Sequence, residues 1–251
     1  MSLQALLFDI DGTLADTERD GHRPAFNQAF AEFGLDWNWT PELYGKLLTV
    51  TGGKERIRYF VEHYLPDFHS PDFDALVANL HKAKTRHYTA MLANGAIPLR
   101  PGIHRLLNEA RQAGLRLAVV TTTTPENVTA LLRYSLAEDA ESWFELIAAG
   151  DIVAAKKPAP DIYLHTLQKM QLAPTQCLAF EDSRNGLLAS RAAHVPTVVT
   201  VNGYTEHENF DDALVVLSDL GEPHAPFTVL KGDVNGKEYV DLELLRRWVG
   251  G

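Results

Sequence analysis

Short apolar runs alternate with amphipathic segments along most of this chain. Runs bounded by polar or glycine residues predict buried strands. The first run ends at Phe8, and the others are Leu115–Thr121, Leu146–Ala149, Cys177–Phe180, Thr197–Val201 and Leu214–Leu217. From residue 95 onward, apolar residues at helical spacing fill the intervals, at Ile103–Ala113, Pro125–Leu136, Pro160–Met170 and Arg184–Ala193. This alternation predicts an α/β fold with a doubly wound parallel sheet.

Residues 15–94 depart from this alternation, because they show helical spacing without a convincing strand. The predicted helices there are Arg23–Phe33, Pro41–Leu48, Lys54–Tyr64 and Asp72–Leu92. We therefore expect an all-helical unit of residues 15–94, inserted into a core of residues 1–14 and 95–251. Near the end of the chain, residues 227–248 predict a hairpin that turns at residues 233–236 and is followed by a short helix.

The composition is that of an ordinary globular protein, and its net charge limits the classes of ligand that it is expected to bind. The chain has 251 residues, 45% of them apolar, and a formal net charge of −10. This acidity argues against nucleic-acid binding, which requires a basic surface. A phosphorylated ligand would require the few basic residues to be gathered at its site.

Cysteine content and hydropathy indicate the compartment. The single cysteine, Cys177, leaves no partner for an intrachain disulfide, which fits a reducing compartment. No apolar run is long enough to cross a membrane, and the first residues lack the basic and apolar regions of a secretory signal. We therefore expect a cytoplasmic protein without a membrane partner.

Two carboxylates follow the first predicted strand, in the segment Asp9-Ile10-Asp11-Gly12-Thr13. Residues two apart at a strand end point to the same side. Carboxylates held so close repel each other and require a cation or a shared proton, and Mg²⁺ favours oxygen ligands. One of them could also attack an electrophile and form a covalent intermediate. The simpler alternative is a strand followed by an Asp-Gly turn.

Further polar residues stand at the ends of later strands, where open parallel sheets bind ligands. Thr121 can donate a hydrogen bond to a phosphoryl oxygen, with the backbone N–H of Thr122 beside it. Lys157 can neutralise charge on a nucleophile and on a transferring phosphoryl group. Glu181 and Asp182 can complete a Mg²⁺ site. A turn, a helix cap or a solvated loop is the simpler interpretation of each, and we prefer it for Thr123, Thr124 and Lys156.

In this order, the strand-end residues resemble the four motifs of the haloacid dehalogenase (HAD) superfamily of phosphotransferases. The first motif has the form of its phosphatases and mutases, in which the first Asp is the nucleophile and the second a general acid/base. The resemblance implies these roles for Asp9 and Asp11, and a Rossmann-like core with residues 15–94 as a helical cap over the site. The implied catalytic residues are Asp9, Asp11, Thr121 and Lys157, and the implied magnesium ligands are Asp9, Asp11, Glu181 and Asp182.

Within the helical segment, Gly52 and Gly53 leave the backbone accessible at a predicted helix start, and Lys54 adds positive charge there. This combination would suit a phosphate group. Segments 47–57, 81–85 and 116–123 resemble the CbbY branch of the HAD family, which is similar to β-phosphoglucomutase in architecture and dephosphorylates xylulose-1,5-bisphosphate. The predicted substrate contacts are Thr13, Glu18, Tyr44, Gly52, Gly53, Lys54, Lys84 and Thr122. Lys84 and Arg86 are basic candidates on the last predicted helix of this segment, and a solvated helix face is the alternative for both. His22 falls in the linker after the first motif, and this linker is one residue longer than in the family pattern.

These observations predict a Mg²⁺-dependent phosphatase that acts on a small sugar phosphate through an aspartyl-phosphate intermediate, with xylulose-1,5-bisphosphate as the candidate substrate. A sugar phosphomutase uses the same residues and is the alternative enzyme. A binding protein on the same scaffold is a third hypothesis, but the retention of every acidic motif residue argues against it. We expect a monomer whose partner is a phosphorylated sugar, with neither nucleic acid nor membrane.

Overall fold

The computed structural model describes residues 2–95 and 97–250, and its strands form one sheet. The strands are β1 (Ala5–Phe8), β2 (Arg116–Val120), β3 (Leu146–Ala148), β4 (Cys177–Glu181), β5 (Thr197–Thr200), β6 (Val215–Leu217) and β7 (Val229–Lys231). Their order across the sheet is β3-β2-β1-β4-β5-β6-β7. Strands β1 to β6 are parallel, and β7 pairs antiparallel with β6. The predicted α/β fold with a parallel sheet is confirmed.

The helices fall into two groups along the chain. Between β1 and β2 lie α1 (Arg23–Glu32), α2 (Pro41–Leu47), α3 (Gly53–Tyr64), α4 (Phe73–Ala93) and α5 (Ile103–Gln112). After β2 come α6 (Pro125–Leu131), α7 (Asp161–Met170), α8 (Arg184–Ala192) and α9 (Leu242–Gly250). Two π-helical turns, Glu18–His22 and Leu132–Leu136, adjoin α1 and α6, and two 3₁₀ turns are Ala140–Trp143 and Pro174–Gln176. In the described ranges, no helix has both the length and the apolar character of a membrane span.

Side-chain caps fix where several helices begin. Thr40 accepts a hydrogen bond from the N–H of Leu43 (3.2 Å), ahead of Pro41 at the start of α2. Asp72 accepts one from the N–H of Ala75 (2.9 Å) before α4. Such caps satisfy N–H groups that a helix start leaves unpaired, which explains why the predicted helix starts match the structure within one or two residues.

The central strand β1 is buried on both faces. Leu6 and Phe8 join one apolar core, which includes residues from α5, α6 and α9. Ala5 and Leu7 join the other, which includes residues from α7 and α8. Because successive side chains of a strand point to opposite faces, this continuous apolar run predicts a strand with helices on both sides.

Helices α1 to α4 share an apolar cluster of their own, with Phe26, Phe30 and Trp39 at its centre. Where the chain leaves and rejoins the sheet, Ala15 bridges Leu99 and the N–H of Arg100 donates to the carbonyl of Leu14 at 2.8 Å. The two connections therefore run side by side. We propose residues 15–94 as a separate unit on this basis.

The C-terminal hairpin prediction is wrong. Val229–Lys231 forms β7 and pairs with β6, and residues 237–240, after the turn, are not a strand. The edge of β6 offers unpaired backbone groups that β7 satisfies. Beyond the turn, Val240 and Leu245 are buried in the main core, which draws the chain away from β7. The short helix that was expected to follow is α9.

Candidate active site

Three buried carboxylates meet where β1 and β4 end. Asp9 follows β1, Glu181 ends β4 and Asp182 follows it. One oxygen from each of the three lies within 4.8 Å of the others. β1 pairs with β2 on one side and with β4 on the other. The order in which the strands are added to the sheet changes direction between β1 and β4, and open parallel sheets bind ligands at such a point. The structure thus brings together three of the residues that were predicted to hold a metal.

Lys157 lies within this acidic group. Its Nζ donates to Asp9 Oδ1 at 2.7 Å, to Glu181 Oε1 at 2.6 Å and to the carbonyl of Val120 at 2.9 Å. The hydroxyl of Tyr163 donates to the same oxygen of Glu181. These contacts orient the carboxylates and raise the pKa of Lys157 despite its burial. Lys157 is therefore a fixed cation beside Asp9.

The single positive charge of Lys157 does not neutralise the three carboxylates of the acidic group. Burial raises the pKa of Asp9 even though Lys157 opposes the shift. Burial raises the pKa of Glu181 to about 7, and burial together with the charges of Asp9 and Glu181 places the pKa of Asp182 well above its ordinary value. A divalent cation would favour the ionised forms of all three. Oxygen-only donors of this kind suit a hard ion such as Mg²⁺, and the group therefore fits the implied metal.

Asp11 does not join these three carboxylates. Its Oδ1 accepts hydrogen bonds from Thr17 (2.7 Å) and from Nε2 of His22 (2.9 Å). Although burial opposes the shift, these partners lower the pKa of Asp11. Asp9 and Asp11 both line the smaller of the two cavities described below, but beyond β1, which ends at Phe8, the chain turns at Gly12 with a φ of 84°. The prediction of the Asp11 carboxylate as a metal ligand is not supported, and the carboxylate faces the helical segment instead.

The threonines predicted to bind phosphate lie at different depths. Thr121 and Thr122 line a cavity of about 100 Å³ that also exposes Asp9, Lys157 and Asp182. Thr13 is buried, its hydroxyl has no partner among the described residues, and it is outside the walls of the described cavities. The structure brings Thr121 and Thr122 to the acidic group, whereas Thr13 does not line either of these two cavities.

A larger cavity of about 490 Å³ lies between the strand ends and the helical segment. It shares Asp11, Glu18 and Thr122 with the smaller cavity. Gly52, Gly53, Lys54 and Lys84 line it, as predicted for substrate contacts. Tyr44 does not, because it is fully buried. Its hydroxyl donates to Glu18 at 2.5 Å and accepts from Arg56 at 2.8 Å, so Tyr44 supports the cavity wall from behind.

The wall of the larger cavity is positively charged. Lys84 is 4% exposed, and its Nζ lies 5.2 Å from the ring centroids of Phe26 and of Tyr88. None of the described residues forms a hydrogen bond or ion pair with it. Burial lowers the pKa of Lys84 to about 8, and burial followed by the charges of Lys84 and Lys54 lowers the pKa of His81 to about 3. A buried cation without an anionic partner suits an anionic ligand.

Two ion pairs join the helical segment to the loop after β3. Lys54, 42% exposed, pairs with Asp151 at 3.0 Å. In the second, Lys156 pairs with Glu55 at 2.8 Å. Lys156 also pairs with Asp151 of its own loop at 3.0 Å. The preference for Lys156 as a solvated loop residue is therefore wrong, since tertiary contacts bury most of its side chain. Arg86 pairs with Glu32 on the surface and does not line these cavities.

Several residues of the site carried no signal in the sequence. Asn202, after β5, donates to Asp182 Oδ2 at 2.7 Å. His81 and Asp151 line the larger cavity. Asn202 lies about twenty residues beyond the last motif, and although His81 opens segment 81–85 and Asp151 precedes Lys157 by six residues, neither has a spacing that marks it.

Comparison with known proteins identifies relatives over nearly the whole chain. A family model for haloacid dehalogenase-like hydrolases matches residues 3–194. The plasmid-encoded CbbY protein of Cupriavidus necator is 47% identical over 252 aligned positions, covering 99% of this chain and 98% of that protein. The CbbY protein of Rhodobacter capsulatus is 50% identical over 220 positions, covering 88% and 95%.

A solved structure provides the same relationship in three dimensions. CbbY from Rhodobacter sphaeroides, crystallised as an Asp-to-Asn mutant in complex with xylulose-1,5-bisphosphate, matches this fold with a TM-score of 0.81. It is 47% identical, and the match covers 86% of this chain and 94% of that one.

Proposed function

The chain belongs to the haloacid dehalogenase-like hydrolase family and is a CbbY-like phosphatase, and from this premise we propose that it hydrolyses xylulose-1,5-bisphosphate through an aspartyl-phosphate on Asp9. One observation carries the proposal. The acidic group with Lys157 at the strand ends adjoins a cavity of about 490 Å³ whose wall holds the buried, unpaired cation Lys84. A similar structure binds this bisphosphate.

Phosphoryl transfer begins at Asp9. An oxygen of its carboxylate attacks phosphorus, the Asp–O–P bond forms, and the P–O bond to the sugar breaks. Lys157, held on Asp9 Oδ1, orients the carboxylate and offsets negative charge that gathers at the phosphoryl group. Mg²⁺ held by Asp9, Glu181 and Asp182 would neutralise charge on the phosphoryl oxygens.

Asp11 handles the protons in this proposal. It gives a proton to the departing sugar oxygen, and then takes a proton from the water that attacks the aspartyl-phosphate. Inorganic phosphate leaves, and both carboxyl groups return to their starting forms. The hydrogen bonds from Thr17 and His22 both reach Oδ1 and favour the ionised carboxylate, so Asp11 must take up a proton, on Oδ2, before it can donate one to the sugar oxygen.

Phosphate release tests the proposal. We expect the wild type to release phosphate from xylulose-1,5-bisphosphate with Mg²⁺ and not with EDTA, and the product to be a sugar monophosphate by mass spectrometry. The Asp9→Asn variant is expected to lose the activity by about 10³-fold or more, because no nucleophile remains. Asp20→Asn is the matched control, since Asp20 is exposed and pairs with Arg19.

Each result has a defined meaning. Activity in Asp9→Asn comparable to that of the wild type would contradict the covalent mechanism. Turnover of the bisphosphate to an isomer without phosphate release would show a mutase. Equal turnover of unrelated phosphate esters would keep the phosphatase and remove the bisphosphate as its preferred substrate.

A further inference from the structure

Arg100 stands where the chain returns from the helical segment to the sheet. Its backbone N–H donates to the carbonyl of Leu14, next to the bridge between Ala15 and Leu99. The side chain is 8% exposed, although arginine is among the residues least often buried. None of the motifs that mark the site in the sequence includes it, so its burial calls for an explanation.

The guanidinium of Arg100 joins three loops at the carboxyl ends of strands. Nη1 donates to the carbonyl of Gly12, after β1, and to that of Thr200 at 3.1 Å, at the end of β5. Nη2 donates to the carbonyl of Val201 at 2.5 Å and to that of Ser218 at 2.6 Å, after β6. Nε faces Asp16 at 3.5 Å. One side chain thus fixes the backbone at each of these strand ends.

Two of these loops hold Asp182 in place. A Cβ on Gly12 would lie 2.1 Å from Asp182 Oδ2, so the backbone of Gly12 rests directly against that carboxylate. Asn202 donates to the same oxygen at 2.7 Å, and its Nδ2 would lie 2.8 Å from that Cβ, so the two loops meet at this oxygen. Gly12 is itself an anchor point of Arg100, and Asn202 directly follows another, Val201.

We propose that Arg100 is a positioning residue for the acidic group, which sets the place of the Asp182 carboxylate by tying together the two loops that meet at its Oδ2. The inference rests on the proposed metal-dependent phosphatase function. The guanidinium shares four carbonyls between two nitrogens of a planar fork. A lysine ammonium supplies the same charge but has three N–H donors on one nitrogen, so it cannot satisfy all four carbonyls.

The Arg100→Lys variant separates geometry from charge. We expect its Mg²⁺ affinity, measured by isothermal titration calorimetry without substrate, to fall about tenfold or more, as for other losses of support behind a metal ligand. We expect kcat for phosphate release to fall with it and KM at saturating Mg²⁺ to change by less than about threefold.

Arg105 provides the matched control. It also donates to backbone carbonyls, those of Gly221 and Val240, each at 2.7 Å, but these lie away from the acidic group. Arg105→Lys is expected to lower the melting temperature as Arg100→Lys does and to leave Mg²⁺ affinity unchanged. The double variant Arg100→Lys/Asn202→Ala should lose less Mg²⁺ affinity than the sum of the single losses, because both act on one carboxylate.

The outcomes distinguish this inference from the proposed function. A wild type that binds no Mg²⁺ and releases no phosphate overturns the proposed function. A wild type that binds Mg²⁺, together with Arg100→Lys that binds it equally well, overturns the inference alone. Equal losses in Arg100→Lys and Arg105→Lys, or failure of both Arg100→Lys and Arg100→Met to fold, would show a purely structural role and also overturn it.

Discussion

Lys84 shows how a single residue links burial to ligand binding. Its ammonium faces the larger cavity, lies 5.2 Å from the ring centroids of Phe26 and Tyr88, and forms no hydrogen bond or ion pair with a described residue. Burial lowers its pKa to about 8, and the charges of Asp11 and Glu18 offset part of that shift. A buried charge without a partner costs stability, so its presence is consistent with a role in binding an anion.

We predict that KM for xylulose-1,5-bisphosphate rises about tenfold for each pH unit above 8, because Lys84 loses its proton there. The sign of the stability effect is opposite. Since the folded-state pKa lies below the ordinary value of 10.5, the stability that Lys84 costs below pH 8 is recovered as the pH rises toward 10.5. Unfolding driven by this group therefore cannot explain the weaker binding.

The measurement is KM from pH 7 to pH 9.5 for the wild type, Lys84→Met and Lys82→Met. Lys82 is exposed on the same helix, so its variant should keep the wild-type profile. Lys84→Met should show a high KM with no rise above pH 8. Parallel pH profiles in the wild type and Lys84→Met would rule out this role for Lys84.

At the scale of the elements, the loop after β1 leaves no room for a side chain at Gly12. Gly12 adopts a φ of 84°, which side chains other than glycine rarely tolerate. The space where its Cβ would lie is taken by Asp182 Oδ2 at 2.1 Å and by Asn202 Nδ2 at 2.8 Å. The turn therefore serves both the backbone path and the close approach of the loop to the acidic group.

Gly12→Ala is predicted to lose at least about tenfold in phosphate release, because its new methyl group displaces Asp182. Gly114→Ala is the control, since Gly114 has a φ of 73° and open space around its Cβ position. Backbone strain of about 1–2 kcal/mol applies to both variants. Both should therefore show a lower melting temperature, while a normal rate in Gly12→Ala would contradict the packing argument.

At the scale of the whole molecule, the C-terminal segment belongs to the core. Strand β7 covers the edge of β6, and Phe227, Val240 and Leu245 are buried in the same cluster as β1 residues. Arg105 on α5 binds the backbone of this segment through the carbonyl of Val240. The segment that had no functional assignment from the sequence thus has a structural one.

Leu245→Ala is predicted to lower the free energy of unfolding by about 2–5 kcal/mol, the cost of a cavity in a packed core. Chemical denaturation measures it, and kcat should be unchanged at temperatures where the variant is folded. Leu230→Ala, whose side chain is 54% exposed on β7, should change stability little. Equal effects of the two variants would show that the segment does not contribute to the core as described.

Charge is distributed unevenly over the molecule. The chain carries a net charge of −10, yet the four basic residues Lys54, Arg56, Lys84 and Lys156 outnumber the three acidic residues Asp11, Glu18 and Asp151 in the lining of one cavity. Positive charge gathered in a cleft of an otherwise acidic protein attracts anionic ligands locally. This distribution matches the expectation that a phosphorylated ligand needs the basic residues at its site.

The sequence by itself determined the sheet and the acidic group at its edge. Apolar runs marked the parallel strands, and the carboxyl ends of such strands converge, so Asp9, Lys157, Glu181 and Asp182 could be placed together without knowing any contact. The same reasoning did not predict the partners of Asp11, because alternation holds only within a strand, β1 ends at Phe8, and the Asp11 carboxylate binds Thr17 and His22.

Only the tertiary structure decided which residues support that group. Tyr44 lies behind the cavity wall, Lys156 pairs across to Glu55, and Arg100 ties the loops around Asp182. Each of these contacts joins segments that are distant along the chain and that meet only in the folded protein: within the helical segment for Tyr44, between that segment and the core for Lys156, and within the core for Arg100. Local spacing and periodicity do not predict such tertiary contacts, because they reflect the element in which a residue lies and not the element against which it packs.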